Sequence, residues 1–234
     1  MIDFHTHILP GMDDGSRSVS ESISMLRLEG RQGVRAVVAT PHFYAEENTP
    51  ESFLKKRESA WQELQPYLWP ELPSVILGAE VQYFEGICAV EAIGELKISG
   101  TDLLLLEMPF RKWSDRVLED VLQLSSDPDT RVILAHFDRY LSQQPKGVWD
   151  WLVKNGILLQ ANVSIFGSWL TGRRAARMLE KGQLHALGSD CHNMKERRPN
   201  WDRFPERLRP LAEQGTANRI IQSLLNSDTP VRMV

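Results

Sequence analysis

Short apolar runs alternate with longer amphipathic stretches along this chain, and that alternation limits its fold more than any other feature. Seven apolar runs predict strands at residues 2–7, 35–40, 75–77, 103–107, 132–136, 157–162 and 186–190. The stretches between them predict helices at residues 18–32, 50–67, 115–124, 147–154, 170–181 and 205–225. Strands that alternate with helices indicate a parallel sheet with crossover connections.

The number of strand–helix units favours a barrel over an open sheet. Seven units in 234 residues fit an α/β protein with a TIM-like, distorted (β/α)7 barrel, and barrels of this size form single domains. We therefore predict one domain over residues 1–234, with its functional site at the C-terminal ends of the strands. Met1 leads directly into the first strand, so we expect no signal peptide and no membrane insertion. With only two cysteines, the sequence predicts a cytoplasmic protein.

Histidines and acidic residues collect where the predicted strands end. Five of the 6 histidines lie there, and alternate side chains such as His5 and His7 share one face of a strand. The candidate metal ligands are His5, His7, Asp14, His42, Glu80, Glu107, His136, Asp190 and His192. Burying so many acids and imidazoles without cations would be costly, so we predict two or three metal ions. Mixed imidazole and carboxylate ligands suit manganese, iron or zinc.

The motifs resemble those of the PHP (polymerase and histidinol phosphatase) family. The segments that carry the resemblance are IDFHTHILPGMDDG at residues 2–15, TPH at 40–42, LAHFDRY at 134–140, QAN at 160–162 and SDCHN at 189–193. They are most similar to the manganese-dependent protein tyrosine phosphatases of bacterial capsule and exopolysaccharide operons. The resemblance extends over about residues 1–199.

This resemblance implies a trinuclear metal centre. It assigns one ion to His5, His7, Glu80 and Asp190, a second to Glu80, Glu107 and His136, and a third to Asp14, His42 and His192. It also implies that Arg139, and either Arg197 or Arg198, contact the phosphoryl group. The metals would be manganese, with iron or zinc as alternatives.

The implied activity is hydrolysis of phosphotyrosine, with a bacterial tyrosine autokinase of polysaccharide biosynthesis as the protein partner. Our hypothesis for the mechanism is direct attack on phosphorus by a metal-bound hydroxide, without a phospho-enzyme. The chain departs from the branch at Phe43, Phe137 and Asp138, where another histidine, a proline and a glutamate are usual. These changes affect the expected shape of the pocket wall rather than the ligand set.

Three other hydrolytic functions compete with this interpretation. Cys191 and Arg197 have the C-x5-R spacing of cysteine-dependent tyrosine phosphatases, although glycines are lacking between them. Amidohydrolases also begin with His-x-His, but their fourth strand commonly ends in lysine, whereas here it ends in Glu107. A histidinol-phosphate phosphatase or another small-molecule phosphatase of the PHP family stays the closer alternative.

Two non-hydrolytic roles have less support from the sequence. A regulatory barrel that binds metal without catalysis would be favoured by missing ligands, and none of the nine is missing. The formal net charge of −4 gives no basic field for nucleic acid. Residues 195–209 are locally basic, and we interpret them as a solvated face or a region that steers a phosphorylated, acidic protein tail.

Overall fold

Parallel strands curl around seven barrel positions in the computed structural model, which describes residues 1–226. The strands are β1 Ile2–Thr6, β2 Ala36–Ala39, β3 His42–Phe43, β4 Ser74–Leu77, β5 Glu80–Gln82, β6 Leu103–Glu107, β7 Arg131–Leu134, β8 Leu158–Asn162 and β9 Ala186–Gly188. One sheet has the order β1-β2-β4 and the other the order β3-β5-β6-β7-β8-β9. Hydrogen bonds from Asp190 N to His5 O (2.8 Å) and from His7 N to Cys191 O (2.9 Å) join the last strand to the first. The predicted α/β barrel is confirmed.

Two barrel positions are filled by interrupted strands, which the apolar pattern did not predict. The chain breaks between β2 and β3 at Pro41, because proline has no N–H for the ladder. The neighbouring break between β4 and β5 lies beside it, where Glu80 N donates to Pro41 O at 3.0 Å. Above the breaks, His42 stands in register with Glu80. The interruption therefore brings two candidate ligands side by side.

The helices cover the outside of the barrel. They are α1 Val19–Arg31, α2 Pro50–Leu64, α3 Asp115–Leu124, α4 Gly147–Lys154, α5 Trp169–Glu180, α6 Arg209–Glu213 and α7 Thr216–Asn226. Ser18, Thr49 and Ser114 cap the first three through backbone N–H groups three residues later. Between β5 and β6 the connection contains 3₁₀ turns, Ile87–Ala89 and Glu91–Leu96, in place of an α-helix.

The helix predicted over residues 205–225 is wrong as a single element. The structure has a 3₁₀ turn, Glu206–Leu208, followed by α6 and then α7. The chain passes too close to the barrel at Gly215 to continue straight, because a Cβ there would lie 2.6 Å from His185 O. A single domain over residues 1–234 stays a prediction, and residues 227–234 lie outside the described part of the chain.

A closed apolar cluster fills the lower part of the barrel. Its members are Ile2, Phe4, Ala36, Val38, Ile76, Ile98, Leu103, Leu105, Ile133, Ala135, Leu158, Ala186, Ala217 and Ile221. Ala217 and Ile221 belong to α7, so this helix covers the N-terminal end of the barrel. The apolar filling leaves the C-terminal ends of the strands as the place for chemistry. Within residues 1–226, no helix has the length and apolar character needed to cross a bilayer.

Candidate metal centre

The nine ligands predicted from the sequence meet at the C-terminal ends of the strands. Their potential ligand atoms form four groups, each with all atoms within 4.8 Å of one another. The groups are His7, Asp14, His42 and His192; His5, His7 and Asp190; His5, Glu80 and His136; and His42, Glu80 and Glu107. Because the groups share His5, His7, His42 and Glu80, they form one continuous cluster. In the three ligand sets that the family resemblance implied, only Glu80 is shared between sets.

A bulge in β1 turns its two histidines into the barrel. Ile2 and Phe4 belong to the apolar interior, and strict alternation would send His5 to the outside. The pairing between β1 and β2 shifts register between Asp3 and Thr6, which changes the alternation at this point. Gly188 provides the space, because a Cβ there would lie 2.5 Å from the Cβ of His5.

Glu80 is the centre of the cluster. Its Oε1 lies 2.8 Å from His136 Nε2, and its Oε2 lies 2.9 Å from His42 Nδ1 and 3.0 Å from His5 Nε2. Burial alone would raise the pKa of this carboxyl group. The charge of His5, the hydrogen bond from His136 and the closeness of the other imidazoles outweigh burial and hold the pKa of Glu80 well below its usual value. A permanent negative charge therefore lies among the imidazoles.

The histidines of the cluster differ in their affinity for protons. Burial opposes the charged form of His7, but its hydrogen bond to Asp13 and the nearby carboxylate of Glu80 raise its pKa to about 10. In the same way, Glu107 and Glu80 outweigh burial and raise the pKa of His136 to about 9. Burial and the nearby charge of His7 lower the pKa of His192 to about 3. Protons on His7 and His136 thus balance the carboxylates when no cation does.

Several buried atoms of the candidate ligands form no hydrogen bond within residues 1–226 and are therefore available to bind a cation. Glu80 Oε2, His42 Nδ1 and His192 Nε2 are buried and make no hydrogen bond to the described residues. Buried polar atoms in native proteins are almost always paired, so each of these atoms calls for another partner. Their nitrogen and oxygen donors suit manganese, iron or zinc. The residues present therefore fit the divalent metals expected from the sequence.

Two of the candidate ligands adopt a left-handed backbone. His136 has φ 31° and Asp190 has φ 55°, and they are the two non-glycine residues with positive φ in residues 1–226. This conformation is unfavourable for residues with a side chain and often occurs at functional sites. Hydrogen bonds hold both residues in place: His136 N donates to Gln160 Oε1 at 2.6 Å and Asp190 N to His5 O at 2.8 Å.

Asp13 supports the cluster and was not selected from the sequence. Its Oδ2 lies 2.7 Å from His7 Nδ1 and accepts a hydrogen bond from His42 N at 2.9 Å. It thereby orients His7, as a carboxylate behind a metal-binding imidazole commonly does. Asp14, the predicted ligand, is more exposed and reaches toward His192 Nε2 at 3.3 Å. The Asp-Asp-Gly sequence at residues 13–15 is typical of a turn, and within this turn Asp13 accepts a hydrogen bond from Gly15 N.

Two amides on β8 also support the ligands. Gln160 Oε1 lies 3.3 Å from His5 Nδ1, so one side chain contacts both His5 and the backbone of His136. Asn162 Nδ2 donates to Asp190 Oδ2 at 3.0 Å. Both residues belong to the QAN motif at residues 160–162, whose sequence alone predicted no function for them.

Two arginines converge on Asp190 at the mouth. Arg139 Nη2 forms an ion pair with Asp190 Oδ2, and Arg197 Nη2 lies 2.9 Å from Asp190 Oδ1. Arg197 also reaches toward Asp14 at 3.6 Å. Arg198 is exposed. Of the two arginines left open by the sequence, Arg197 is therefore the one that contacts the cluster.

Aromatic rings line the mouth. The ring of Tyr44 stacks on His42 with centroids 5.1 Å apart, next to a cavity of about 410 Å³. On the opposite side, the ring of Phe110 lies nearly parallel to His136, with centroids 6.1 Å apart and an interplanar angle of 20°. Phe110 is 52% exposed. The mouth therefore offers flat apolar surfaces beside a charged centre.

The geometry around Cys191 does not support a cysteine nucleophile. Its thiol is fully buried, and burial together with the charges of Glu29 and Asp3 raises its pKa well above the usual value. The amides after it are also engaged, since His192 N and Asn193 N donate to Arg197 O at 2.8 and 3.3 Å. Cysteine-dependent phosphatases bind phosphate with free backbone amides around a thiolate, and neither the amides nor the thiolate is available here.

Comparisons with known proteins identify the family of this chain. The family model for capsular polysaccharide synthesis, CpsB/CapC, matches residues 1–227. Tyrosine-protein phosphatase YwqE of Bacillus subtilis (strain 168) is 30% identical over 210 residues, and the match covers 84% of this chain and 79% of that protein. Tyrosine-protein phosphatase CpsB of Streptococcus pneumoniae is 30% identical over 221 residues, covering 85% of this chain and 86% of that protein.

Solved structures show the same fold. The similar chain from the crystal structures of YwqE and CpsB, described as unique metal-dependent tyrosine phosphatases, has a TM-score of 0.71 and 24% identity, covering 97% of this chain and 89% of that one. Histidinol phosphate phosphatase from Lactococcus lactis, complexed with zinc, L-histidinol and phosphate, has a TM-score of 0.56 and 14% identity, covering 91% and 92%. These matches confirm the resemblance predicted from the motifs, and the chain belongs to the CpsB/CapC family of capsular polysaccharide synthesis.

Proposed function

We propose that this protein is a metal-dependent protein-tyrosine phosphatase whose substrate is a bacterial tyrosine autokinase of polysaccharide biosynthesis. The observation that carries the proposal is the convergence of nine candidate metal ligands and two arginines at one barrel mouth. Relatives over most of the chain are named tyrosine-protein phosphatases. We also propose that it acts in the cytoplasm, because two cysteines that both carry free thiols fit a reducing compartment.

The cluster would hold two or three divalent ions, with manganese as our first choice. His5, Glu80 and His136 would hold the deepest ion, and Asp14, His42 and His192 the one nearest the mouth. Bound divalent ions lower the pKa of water and neutralise charge on phosphoryl oxygens. Asp13 and Gln160 would keep the ring nitrogens of His7 and His5 facing the ions.

Arg139 and Arg197 would bind the phosphoryl group. Both guanidinium groups already face the cluster, where they share the carboxylate of Asp190. A dianionic phosphate monoester offers more negative charge than Asp190 and can accept paired hydrogen bonds from each guanidinium. The arginines would therefore exchange part of their contact with Asp190 for the substrate oxygens and hold phosphorus over the ligands.

The chemistry of the leaving group favours phosphotyrosine over phosphoserine or phosphothreonine as the substrate. A phenolate departs more easily than an alkoxide, since the pKa of tyrosine is about 10. Phe110 and Tyr44 present ring faces beside the cluster, and such faces favour stacking of a substrate phenol ring. An arylphosphate thus matches both the chemistry and the shape of the mouth.

Activity after metal removal and replacement tests the proposal. The protein is stripped with a chelator, reloaded with Mn²⁺, Fe²⁺ or Zn²⁺, and assayed on a phosphotyrosine peptide and on histidinol phosphate. We expect loss and metal-dependent recovery on the peptide, little hydrolysis of histidinol phosphate, and no recovery for His136→Ala.

Three results would contradict the proposal. Faster hydrolysis of histidinol phosphate would favour the small-molecule phosphatase, whose fold is similar. A loaded protein that hydrolyses neither compound would favour a non-catalytic regulatory barrel. Loss of activity in Cys191→Ser with resistance to the chelator would favour a cysteine nucleophile.

A further inference from the structure

A groove with an arginine-rich lining runs along the outer face of α5. It has a volume of about 330 Å³, with α5 on one side and the segment around Arg207 on the other. Three arginines and one acidic residue, Glu180 at the C-terminal end of α5, line it. Trp169, Arg173 and Arg177 follow one another at every fourth position of α5, so they form a line along one face of the helix. We call this feature the arginine groove and define it by Trp169, Arg173, Arg177 and Arg207.

The arginines of the groove lack carboxylate partners. In the part of the chain that the structure describes, none of Arg173, Arg177 and Arg207 has an acidic oxygen within 4.0 Å, in contrast to Arg197 and Arg209. All three are exposed. Like charges at positions i and i+4 destabilise a helix, so Arg173 and Arg177 repel each other when nothing lies between them. An anionic ligand would remove this repulsion.

The end of the groove at the first residue of α5 is apolar and exposed. Trp169, which lines the groove, is 70% exposed, and the next residue, Leu170, lies outside the lining and is 72% exposed. These are the highest values among the large hydrophobic residues of the described chain. The guanidinium of Arg173 lies 4.9 Å from the centre of the Trp169 ring. Adjacent exposed tryptophan and arginine residues are typical of protein-binding surfaces. The combination fits a polypeptide with acidic residues better than a small anion.

The groove begins close to the candidate metal centre. A 3₁₀ turn, Val163–Gly167, connects β8 to the groove, and Asn162 just before it donates to Asp190. A 3₁₀ helix rises about 2 Å per residue, so Phe166 in the groove lies about 8 Å along the chain from Asn162. An extended peptide advances about 3.3 Å per residue and covers that distance with about three residues.

The length of the groove also suits a short peptide segment. From Trp169 to Arg177 the helix rises about 12 Å, at about 1.5 Å per residue. An extended peptide spans this length with about four residues. A chain whose phosphotyrosine lies at the metal centre would therefore place residues about three to six positions away against the arginines.

We propose that the arginine groove binds an acidic segment of the substrate protein, about three to six residues from the phosphotyrosine. The inference rests on the proposed phosphatase function, because the phosphotyrosine fixes the end of the segment at the metal centre. It adds a second binding site that selects among tyrosine-phosphorylated chains by the charge of their flanking residues.

The experiment compares two phosphotyrosine peptides and two double variants. The peptides are identical except that one carries Asp and Glu three to six residues from the phosphotyrosine on both sides, and the other carries Asn and Gln. The groove variant is Arg173→Glu/Arg177→Glu. The control is Arg27→Glu/Arg116→Glu, which changes the net charge equally, and Arg27 also lies 4.9 Å from a tryptophan ring, that of Trp69.

We expect the Mn²⁺-loaded wild type to prefer the acidic peptide, and the groove variant to lose about tenfold in kcat/KM on it. This loss corresponds to a few-fold effect for each exposed charge. The groove variant should retain its rate on the neutral peptide and on p-nitrophenyl phosphate, and the control variant should retain the preference. Equal losses in both variants, or no preference in the wild type, would overturn the proposal.

A binding measurement separates this inference from the proposed function. The acidic peptide with phenylalanine in place of phosphotyrosine is labelled, and its anisotropy is followed with wild type and both double variants. Binding that only the groove variant loses, without hydrolysis of any phosphotyrosine peptide, would contradict the proposed function but not the groove. Hydrolysis without this binding, or tighter binding of a single-stranded oligonucleotide, would contradict the groove.

Discussion

The deep half of the candidate metal centre differs from its rim. His5, Glu80 and His136 are fully buried, and the carboxylate of Glu80 lies about 3 Å from an imidazole nitrogen of each histidine. At the rim, the side chains of Asp14 and Arg197 are 63% and 38% exposed, and their closest contact is 3.6 Å. Charge pairs contribute strongly where water is excluded and weakly where it is present. The deep half should therefore determine metal affinity, and the rim should determine how substrate enters.

Replacing Glu80 should have the largest effect. In Glu80→Gln the shape is retained, but four histidines lose the carboxylate they share, so we expect loss of at least one bound metal ion per chain. Altered residues behind metal ligands already cost about 10- to 100-fold, so a direct ligand should cost more than about 100-fold in kcat/KM. Metal content by mass spectrometry and peptide hydrolysis measure both. Glu46→Gln is the control, and equal metal content in the two variants would contradict the central role of Glu80.

Metal binding should release protons from two fully buried histidines, His7 and His136. Without a cation, His7 and His136 have pKa values of about 10 and 9, so both hold protons at pH 7.5. A metal needs the neutral imidazole and displaces these protons. Affinity for Mn²⁺ should therefore rise by about tenfold per pH unit for each proton released, up to about pH 9.

Calorimetry in two buffers with different ionisation enthalpies measures the number of protons. The same pairs should stabilise the metal-free fold fully below pH 6.5 and lose that contribution as the pH rises through about 9 and 10. His192, with a pKa of about 3, should release none. Metal affinity that is constant between pH 6 and 9 would show that the imidazoles are already neutral.

At the rim, the two neighbouring arginines should differ. Arg197 donates to Asp190 and faces the cluster, so Arg197→Ala should lower kcat/KM on a phosphotyrosine peptide by about 10- to 100-fold, the range for a lost charged hydrogen bond. Arg198 is exposed, and Arg198→Ala should stay within about twofold of wild type. Equal losses would mean that both arginines bind phosphate.

The smallest effect is expected at Phe110. Phe110→Leu removes a ring face beside His136 but keeps an apolar side chain, so arylphosphates should lose about two- to tenfold in kcat/KM relative to alkyl phosphates. The measurement is the ratio of rates on p-nitrophenyl phosphate and glycerol phosphate. Trp151→Leu, an exposed ring on α4, is the control. An unchanged ratio would place the substrate ring elsewhere in the mouth.

The sequence predicted the barrel, and the convergence of the candidate ligands, because both depend on repeated local signals. Each barrel position begins with an apolar run, and each candidate ligand lies within such a run or at most seven residues after it. β3 and β5 escaped prediction because strands of two and three residues are too short to show alternation. The break at Gly215 depends on a carbonyl of His185, which is thirty positions earlier and invisible to a local pattern.

The supporting residues were harder to predict than the ligands. Asp13 and Asp14 are chemically identical neighbours, and only the fold decides which of them lies behind His7. Gln160 contacts His5 across 155 positions of sequence, so no spacing rule could connect them. Arg197 and Arg198 differ only in the direction that the turn after Asn193 gives each side chain. Long-range contacts of this kind require the folded structure.

The buried position of Cys191 has a consequence for oxidative stress. A phosphatase that uses a thiolate is inactivated when peroxide oxidises it. Here the thiol is enclosed beside Glu29 and holds its proton, so neither peroxide nor alkylating reagents should reach it in the folded protein. Dephosphorylation by this barrel should therefore continue under oxidising conditions that silence cysteine-dependent phosphatases in the same cell.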